Sequence, residues 1–516
     1  MYDHGYVLSY DVGTTHIKAA LVSLSDYRVG VKSVGDSVIE YPKLGWAEQD
    51  PEFLWGQLSS LTGELFDSSA INPGNVRAVV FSAHMAGVLP VDSSGNPLRR
   101  IIVWLDERGA GLPRELWSGL LRVKGYNLFR LLEFLRITGG APGRTGKDPI
   151  SKIIWVRDNE PDVYERTSKF LDVKGYLIYK ATGEYVTSWD EANLLWLADT
   201  RSGRVKWHER LVRKYGLDLE MLPIIMKSTD IAGRLTRDAA RDLGLPEGLP
   251  VVVGAGDMPA AAIGSGAVRE GEIHIYIGTS DWVAAHVSRR IVDVSNYIGS
   301  IASGIPGMYL LVAEQEIAAG ALEWIMSLLG MDGNYTLVEE LVEDSEPGSS
   351  GILFMPWMYG ERAPIDDPYI RGGFLNLSIN SSKGDILRSV MEGVAFNIKW
   401  VYHRVEKLTR VNKEVNIVGG GSLFDEWCRI IASAIGRRVR RIMDPQDAVL
   451  RGSSVIAAKA IGHIDHISDA VAKFRVEREF EPEERLSKVY ERLFRYYREA
   501  YNRLKSLYRG LNASHT

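Results

Sequence analysis

A strand, a glycine turn and a helix with a single carboxylate at the corner are predicted over residues 249–266 (LPVVVGAGDMPAAAIGSG). Residues 251–253 predict a short buried strand, and Asp257, followed by Pro259, stands where a helix would begin. A carboxylate at such a corner caps the helix by accepting hydrogen bonds from backbone N–H groups. These residues alone leave open whether Asp257 is only a helix cap or also has a functional role.

A second pattern occurs twice in the chain, at a constant offset of 265 residues. Residues 11–22 (DVGTTHIKAALV) align with residues 276–287 (YIGTSDWVAAHV), and each copy predicts a strand, a Gly-Thr turn and a strand. A single turn of this kind is typical of a plain hairpin. Two copies predict a duplicated domain with a cleft between the halves, where backbone N–H groups of both turns converge on phosphate oxygens.

The two copies differ at the residue before the turn. Asp11 precedes the first turn, whereas Tyr276 stands at the equivalent place in the second. A single carboxylate suits a Mg²⁺ ion that is held mainly by water and nucleotide phosphates. The sequence therefore predicts a metal-linked phosphate site near Asp11.

Three further turns follow predicted strands, at residues 82–87 (SAHMAG), 104–109 (WLDERG) and 419–427 (GGGSLFDEW). Ligand groups collect at the carboxyl ends of parallel strands. The third turn leads into a helix through Ile435, and a glycine-rich turn before a helix admits a nucleotide. Simple packing explains the third turn at least as well.

The remaining elements are predicted from periodicity. The chain opens with three strands and a helix, at residues 6–10, 17–23, 29–39 and 52–66. Residues 112–245 predict mostly helices, and the polar, glycine-bearing loop at 139–148 is expected to be mobile. A final helix near 482–509 has one apolar face, which predicts packing on the body of the protein, with an oligomer contact as the alternative.

Composition narrows the class of protein. The 516 residues are 45% hydrophobic and 25% charged, which is typical of a globular protein of two large units. A net charge of −5 offers no basic field, so we expect neither nucleic acid nor a membrane as partner, but a small molecule. No window is apolar enough to span a bilayer, no signal peptide is recognisable, and Cys428 is the single cysteine. We expect a cytoplasmic protein.

Together the motifs resemble the FGGY family of carbohydrate kinases, in the expected order and over nearly the whole chain. The motifs are DVGTT, GWAEQDP, SAHMAG, WLDER, DPISKIIWVRDNEP, GAGDMPAAAIG, YIGTS, GERAP, MEGVAF and NIVGGGSLFDEW. The resemblance implies an α/β fold of two duplicated actin/hexokinase-like (ribonuclease H-like) domains, with ATP in the interdomain cleft. It implies an N-terminal FGGY domain over 1–262, a C-terminal FGGY domain over 263–480, and the packed helix over 481–516.

The resemblance also implies roles for individual residues. Asp257 is similar to the family's catalytic base, and Asp11, with Asp257, to its Mg²⁺-linked acids. The remaining implied positions bind nucleotide phosphates (Thr14, Thr15, Lys18, Gly278, Thr279), bind the nucleotide (Gly320, Gly420, Gly421, Asp425), or line the sugar pocket (His84, Met85, Trp104, Asp106, Met258, again with Asp257). We expect a helix-capping Asp257 with a lowered pKa, which is still adequate to orient a sugar hydroxyl and take its proton late.

Two positions depart from the xylulokinase subgroup that the chain resembles. That subgroup has Gln-Met-His where this chain has His84-Met85-Ala86, and Asp-Asn where it has Asp257-Met258. Two polar groups for sugar hydroxyls are therefore missing or moved, which weakens discrimination by hydroxyl recognition. His84 replaces the lost histidine from a neighbouring position, or it is a satisfied structural residue.

Several functions fit this resemblance. The first is ATP-dependent phosphorylation of a pentulose (xylulose- or ribulose-like) or related polyol, and a homodimer is possible. Alternatives are a kinase for glycerol or erythritol, and a catalytically weak sensor that binds sugar and ATP. An ATPase switch of the chaperone or actin kind would share the phosphate turns, but it has no use for the sugar-side segments.

Overall fold

Two mixed β-sheets form the centres of two halves of the chain. The computed structural model describes residues 5–201, 203, 205–409 and 414–513. The first sheet has six strands in the order β15-β16-β5-β1-β2-β3, and the second has eight in the order β19-β20-β21-β18-β17-β24-β25-β26. Helices cover the sheets and bury one large apolar core in each half. Among the described residues, no helix is both long and apolar enough to cross a membrane.

The first half contains sixteen strands and nine helices within the described residues. The strands are β1 (Tyr6–Val12), β2 (His16–Ser23), β3 (Val29–Asp36), β4 (Glu48–Gln49), β5 (Val76–Ala83), β6 (Leu89–Val91), β7 (Ile101–Ile102), β8 (Arg122–Val123), β9 (Tyr126–Asn127), β10 (Lys169–Leu171), β11 (Val186–Ser188), β12 (Ala198–Asp199), β13 (Lys206–Trp207), β14 (Ile224–Met226), β15 (Ile231–Arg234) and β16 (Pro250–Val252). The helices are α1 (Pro51–Asp67), α2 (Leu128–Thr138), α3 (Pro149–Asn159), α4 (Pro161–Arg166), α5 (Val173–Thr182), α6 (Trp189–Leu194), α7 (Glu209–Lys214), α8 (Arg237–Leu243) and α9 (Asp257–Gly264).

The second half contains ten strands and seven helices within the same described ranges. The strands are β17 (Ile273–Ile277), β18 (Asp281–Val287), β19 (Val292–Asp293), β20 (Ile298–Ala302), β21 (Tyr309–Gln315), β22 (Leu353–Met355), β23 (Gly373–Leu375), β24 (Glu414–Val418), β25 (Arg438–Ile442) and β26 (Val476–Phe480). The helices are α10 (Ala319–Leu328), α11 (Tyr335–Asp344), α12 (Lys383–Leu408), α13 (Asp425–Ile435), α14 (Ala448–Ala460), α15 (Ile467–Val471) and α16 (Glu484–Asn512).

The two sheets share one topology. In the first, β1 forms an antiparallel hairpin with β2 and runs parallel to β5, which runs parallel to β16. In the second, β17 pairs antiparallel with β18 and parallel with β24, which runs parallel to β25. The hairpin turns also correspond, because β1 ends at Val12 and β17 at Ile277, which are 265 residues apart. The predicted duplication and the actin/hexokinase-like fold class are therefore confirmed.

Some local predictions needed correction. Residues 112–245 contain helices, as predicted, but also short strands that the sequence analysis missed, most of them in two-stranded pairs and the last, β15, at the edge of the first sheet. The first helix begins one residue earlier than predicted, with Asp50 as its cap accepting hydrogen bonds from the N–H groups of Glu52 and Phe53. The division into domains at residues 262 and 480 stays a prediction.

Helices α9 and α14 cross at a contact made possible by two glycines. A Cβ atom at Gly264 would lie 1.7 Å from the carbonyl oxygen of Ala448, and one at Gly452 would lie 1.9 Å from that of Ala260. Helix α14 also packs on β1, where Ser9 Oγ donates to the Leu450 carbonyl at 3.1 Å. This helix pair therefore joins elements of the first half to elements of the second.

We expect Gly452→Ala to destabilise the protein by about 3 kcal/mol, because the new methyl group meets backbone atoms that cannot move aside. Chemical denaturation measures the change. The matched control is Gly56→Ala in α1, where nothing lies within 4 Å of the added Cβ. That change should stabilise by about 0.5 to 1 kcal/mol through helix propensity. Equal effects of the two substitutions would contradict the close helix contact.

Helix α16 packs along the second half. Its buried residues recur on one face, and Tyr497 donates a hydrogen bond to Asn397 Oδ1 at 3.0 Å. On the same face, Tyr490 lies against Phe396, with ring centroids 5.8 Å apart. The apolar face that the sequence predicts is therefore buried against α12.

Candidate active site

Asp257 lies at the first turn of α9, directly after the strand β16. The helix begins at Asp257 itself and its N-cap is Gly256, so the predicted capping role is wrong. The carboxylate instead accepts a hydrogen bond from the Met258 N–H at 2.8 Å. Because Gly256 occupies the N-cap position, the side chain of Asp257 is not needed to cap the helix. It is therefore available to bind a ligand.

The electrostatic surroundings of Asp257 also differ from the expectation. Burial, followed by the negative charge of Asp11 and smaller contributions from Glu314 and Asp190, raises the pKa of Asp257 to about 7. The Met258 N–H acts in the opposite direction. The predicted lowered pKa is therefore wrong, because burial and, after it, the neighbouring carboxylates outweigh the helix terminus. A pKa near the operating pH is what an efficient general base has.

Asp11 lies at the end of β1, on the first of the two predicted phosphate turns. It is 9% exposed, and its pKa is raised by burial in spite of Lys18, whose Nζ lies 3.7 Å from Oδ2. Lys18 Nζ also donates to the carbonyl oxygen of Gln446 at 2.9 Å. A residue of the second half thus holds the lysine of the first phosphate turn.

Tyr276 brings the second turn to the same place. Its ring stacks on that of Trp282, with centroids 3.9 Å apart. Burial is the main cause of the raised pKa of Tyr276, and the charges of Asp11 and Asp257 add to it. The two carboxylates of the first half and the strand before the second turn therefore converge. Thr14 and Thr279 are both accessible at their turns, and their predicted approach across the cleft stays a prediction.

The second phosphate turn is fixed by the start of α10. The Thr279 carbonyl oxygen accepts hydrogen bonds from the N–H groups of Ala318 at 2.8 Å and Gly320 at 3.2 Å. A Cβ at Gly320 would lie 3.0 Å from Thr279 Cγ2, so a larger residue would push the turn. Gly320 thus packs against the second phosphate turn and helps to hold Gly278 and Thr279 in place.

The nucleotide turn predicted after β24 packs directly on β17. Gly419 has φ +94°, and a Cβ there would lie 2.4 Å from the Ile277 carbonyl oxygen. Gly421 packs equally closely on the Ile277 side chain, whereas Gly420 is exposed with nothing within 4 Å of its Cβ direction. Gly420 therefore leaves open space beside the second phosphate turn.

Asp425 has more partners than its predicted role requires. Its carboxylate forms ion pairs with Arg441, at 2.8 Å, and with Arg478. Its N–H donates to Glu339 Oε1 at 2.9 Å. These contacts anchor the start of α13. A nucleotide contact of Asp425 stays a prediction.

The predicted sugar side lies against the turn before Asp257. A Cβ at Gly256 would lie 2.4 Å from Met85 Cγ, so only glycine lets this methionine pack there. Met258 joins the same apolar cluster, which includes Trp282 of the second half. The two methionines therefore give this part of the site an apolar wall.

His84 is buried, and one ring nitrogen is free. Its Nε2 lies 3.0 Å from Gln49 Oε1, whereas Nδ1 has no partner among the described residues. Burial and, to a smaller extent, the charge of Lys152 lower the pKa of His84 to about 4. Lys152 Nζ donates to the Ala86 carbonyl at 2.8 Å. His84 is thus a neutral imidazole with one position left for a hydrogen bond.

Asp106 is held within its own turn. It is fully buried, accepts the Ala47 N–H at 2.7 Å, and forms a bidentate ion pair with Arg108. The ring of Trp46 covers Arg108, with its Cζ 3.9 Å from the centroid. These contacts make Asp106 a positioning residue for the turn that carries Trp104, and its contact with a sugar stays a prediction.

Glu314 and Arg362 belong to the site although the sequence analysis gave them no role. Arg362 pairs with Glu314 and with Glu316, each at 2.5 Å, and its Cζ lies 5.7 Å from the ring centroid of Trp104. The second half therefore reaches the sugar side of the first half through this arginine. Its GERAP segment was visible in the sequence, but its partners on β21 were not.

Two acids of α6 were also missed. Asp190 Oδ2 accepts the Gly256 N–H at 2.7 Å, and Glu191 Oε2 accepts the Ala86 N–H at 3.3 Å. Both are buried, and burial raises the pKa of each carboxyl. Asp190 fixes the turn just before Asp257, and Glu191 fixes the turn that carries Met85. The pattern that marked them was an acid pair directly after the short strand β11.

Asp257 gives the activity a predictable pH dependence. A base must be deprotonated, and the pKa of Asp257 is about 7, so kcat/KM should fall as the pH drops below about 7. Glu314→Gln removes a negative charge that raises this pKa, so the fall should begin at a lower pH. Initial rates over about pH 5 to 9, with both sugar and Mg-ATP subsaturating, measure both curves, because they then report the pKa of the enzyme before the metal binds.

The matched control for this shift is Glu316→Gln. Glu316 pairs with the same Arg362, but its charge is not among those that raise the pKa of Asp257. The Glu316→Gln profile should therefore keep the wild-type midpoint. Shifts of equal size in both variants would mean that loss of the Arg362 ion pair, and not the charge near Asp257, moves the profile.

Comparison with protein families gives two matches that follow one another along the chain. The N-terminal domain of the FGGY family of carbohydrate kinases matches residues 6–264, and the C-terminal domain of the same family matches residues 274–461. Together the matches span most of the chain. They also meet between α9 and β17, where the two sheets divide the structure.

Individual relatives carry different substrate names. A xylulose kinase of Staphylococcus xylosus is 27% identical over 505 residues, which cover 96% of this chain and all of that protein. A glycerol kinase of Thermococcus gammatolerans is 26% identical, covering 94% of this chain and 96% of that protein. The crystal structure of a gluconate kinase from Lactobacillus acidophilus superimposes with a TM-score of 0.86 at 22% identity, covering 99% of this chain and all of that one.

Proposed function

Because the chain belongs to the FGGY family of carbohydrate kinases, we propose that it transfers a phosphoryl group from ATP to a hydroxyl of a pentulose or related polyol. The observation that carries this proposal is the position of Asp257. It stands at the start of α9 beside Asp11, and the strand before the second phosphate turn meets both carboxylates. The acceptor hydroxyl and the nucleotide phosphates would then both lie next to the carboxylate of Asp257.

In this proposal Asp257 orients the sugar hydroxyl and accepts its proton. Phosphoryl transfer passes through a loose transition state, so positioning and charge neutralisation dominate over early proton removal. Backbone N–H groups of the turns at Gly13 and Gly278, with Thr14, Thr15 and Thr279, are the donors for phosphate oxygens. Lys18, held by the Gln446 carbonyl, adds a positive charge at the first turn.

The residues fit a divalent cation. Asp11 and Asp257 are close enough for the charge of one to raise the pKa of the other, and carboxylate oxygens are the ligands that Mg²⁺ prefers. We propose that Asp11 and Asp257 hold Mg²⁺ together with the nucleotide phosphates. The ion would neutralise charge on the transferred group. It would also lower the pKa of Asp257 in the loaded enzyme.

The charge of the sugar side favours a neutral substrate over a sugar acid. Arg362, the cation nearest to Trp104, is neutralised by both Glu314 and Glu316. Burial lowers the pKa of Lys152 to about 7, and its Nζ already donates to the Ala86 carbonyl. A sugar carboxylate would find no uncommitted cation among these residues. A neutral hydroxyl, in contrast, needs no cation to bind it.

The apolar wall of Met85 and Met258 discriminates between a pentulose and glycerol, but less strongly than the charges discriminate against a sugar acid. Met85 and Met258 would cover the carbon face of a longer sugar, and glycerol would leave part of that wall in contact with water. We therefore place xylulose- and ribulose-like pentuloses before glycerol and erythritol. Action in the cytoplasm and a homodimer stay predictions.

The test is ADP release with Mg-ATP and a panel of D- and L-xylulose, D- and L-ribulose, erythritol, glycerol and gluconate. We expect the highest kcat/KM on a pentulose and little activity on gluconate. A preference for gluconate would contradict the neutral-substrate argument. ADP release with no member of the panel, although sugar and ATP bind, would favour the sensor alternative.

A further inference from the structure

A small pocket lies where the two halves meet, at a place that the phosphate-transfer site does not use. It is an open depression with only about 20 Å³ of enclosed space, and it is lined by the β2–β3 connection, the chain after β25 and the chain before β26. Four of the lining residues are cations and two are acids: Arg28, Arg451, Lys473, Arg475, Asp26 and Asp444. A basic pocket is unusual in a chain whose net charge is −5.

Arg451, on α14, is the buried member of this pocket. It is 4% exposed, its Nε donates to the Gly264 carbonyl at 3.0 Å, and its Nη1 donates to the Met443 carbonyl at 2.7 Å. Its Nη2 has no hydrogen-bond partner within the described chain. A buried guanidinium nitrogen without an acceptor costs free energy, because the donor has lost its water.

The charge of Arg451 is also left without a close counterion. Burial lowers its pKa to about 10, and the nearest acids, Asp444 and Asp447, offset this only in part. Asp447 is already paired with Lys32 at 2.8 Å. The ring of Phe474 lies against the guanidinium, with the Cζ atom 5.2 Å from its centroid. An anion in the depression would supply the missing counter-charge to this guanidinium, which forms part of the lining.

The other cations of the pocket are also available. In the part of the chain that the structure describes, the side chains of Arg28, Lys473 and Arg475 form no ion pair, and Lys473 Nζ donates to the Ser25 carbonyl at 3.0 Å. Asp26, which shares the pocket, accepts the backbone N–H of Arg28 at 3.3 Å. The pocket therefore keeps an excess of positive charge after its own acids are counted.

We propose that this pocket binds a small phosphate-bearing anion, held by Arg451 at its base and by Arg28 and Arg475 at its rim. Arginine suits phosphate because its planar fork donates two parallel hydrogen bonds. Free inorganic phosphate and the phosphate group of a phosphorylated sugar present the same chemistry. The experiment below distinguishes these two sources.

The position of Arg451 connects the pocket to the nucleotide side. It binds Met443, the first residue of the segment 443–447, whose Pro445 carbonyl accepts the Gly419 N–H at 2.9 Å. In the same segment, the Gln446 carbonyl accepts Lys18 Nζ. An anion that holds Arg451 in place therefore also steadies the nucleotide turn and the lysine of the first phosphate turn.

Isothermal titration calorimetry with inorganic phosphate tests the site, using full-length protein saturated with Mg-ADP so that the phosphate turns are filled. We expect saturable binding to the wild type and about tenfold weaker binding to Arg28→Ala/Arg475→Ala, which loses two charge-assisted donors. Both substituted residues are exposed, so the variant should fold. The control Arg485→Ala/Arg503→Ala removes the same charge from α16 and should bind as the wild type does.

Three outcomes would overturn the proposal. They are no binding to the wild type at about 10 mM phosphate, equal affinities of the wild type and the Arg28/Arg475 variant, or an equal loss in the α16 control. Repeating the titration with a pentulose 5-phosphate decides the source, because tighter binding than inorganic phosphate assigns the site to a phosphorylated sugar. None of these results depends on which sugar the enzyme phosphorylates.

The link to the nucleotide side has its own measurement. The KM for ATP is determined with increasing phosphate at constant ionic strength, in the wild type and in the Arg28→Ala/Arg475→Ala variant. Phosphate competes with ATP at the phosphate turns in both proteins and raises the KM for ATP. We expect this rise to be at least about twofold smaller in the wild type than in the variant, because the anion bound in the wild type also steadies Gly419 and Lys18. Identical curves would overturn the coupling.

Discussion

Asp257→Asn should fold, bind ATP and lose about 10²- to 10⁴-fold in kcat, the range expected when a general base is removed. Asparagine has nearly the same shape and keeps an oxygen to accept the Met258 N–H that Asp257 accepts at 2.8 Å. The substitution therefore removes the proton acceptor and leaves the shape of the side chain and its hydrogen bond nearly unchanged. Single-turnover kinetics and ATP titration separate the chemical step from binding.

The same variant should be more stable than the wild type at neutral pH. The pKa of Asp257 in the folded protein, about 7, lies above the ordinary aspartate value of 3.8, so the folded state binds this proton more tightly than the unfolded state does. The free energy of unfolding therefore falls as the pH rises from about 4 to about 7. Asparagine carries no charge and avoids this loss, so its melting temperature at pH 8 should be higher.

Asp257→Ala is the matched comparison. It also loses the base, but it removes the oxygen that accepts the Met258 N–H, so it should be less stable than Asp257→Asn and equally inactive. Near-native kcat of Asp257→Asn on the true substrate would remove Asp257 from the mechanism. A lower melting temperature of Asp257→Asn would show that its carboxylate mainly stabilises the turn.

The fold and the position of Asp257 at the strand-to-helix corner were predictable because both depend on local sequence patterns. The two Gly-Thr turns keep an offset of 265 residues, since each joins the same pair of strands in a repeated sheet. Asp257 was found because a strand, a glycine turn and a helix leave one carboxylate at the corner. Such features depend on neighbours in the sequence.

The chemistry of the site was less predictable, since it depends on residues that are distant in the sequence. The expectation of a lowered pKa for Asp257 considered the helix alone, whereas the structure brings Asp11 and Glu314 near the carboxyl. Arg362 of the second half contacts Trp104 of the first half, and no local sequence pattern predicts that contact. Even where a motif was recognised, as with Asp106, its ion pair with Arg108 was not.

Substrate choice should respond to the two positions that depart from the xylulokinase pattern. Met258 belongs to the apolar wall, so Met258→Asn places an amide beside Asp257 where a sugar hydroxyl can bind it. Ala86 has φ +61°, a left-handed conformation that histidine adopts more readily than most residues, so Ala86→His is sterically reasonable. Its backbone would keep the bonds to Lys152 and Glu191.

We expect the double variant to raise kcat/KM for D-xylulose, relative to the native substrate, by about one to two powers of ten, since each hydrogen bond to a buried hydroxyl contributes about 1 kcal/mol. Met258→Asn alone is the cleaner trial, because it leaves unchanged the surroundings of His84, whose buried Nδ1 has no partner among the described residues. Met258→Leu, which changes the side chain without adding a polar group, should leave the ratio unchanged. Strong and exclusive activity of the unmodified protein on D-xylulose would show that other groups make the pocket polar, and the argument from Ala86 and Met258 would then be wrong.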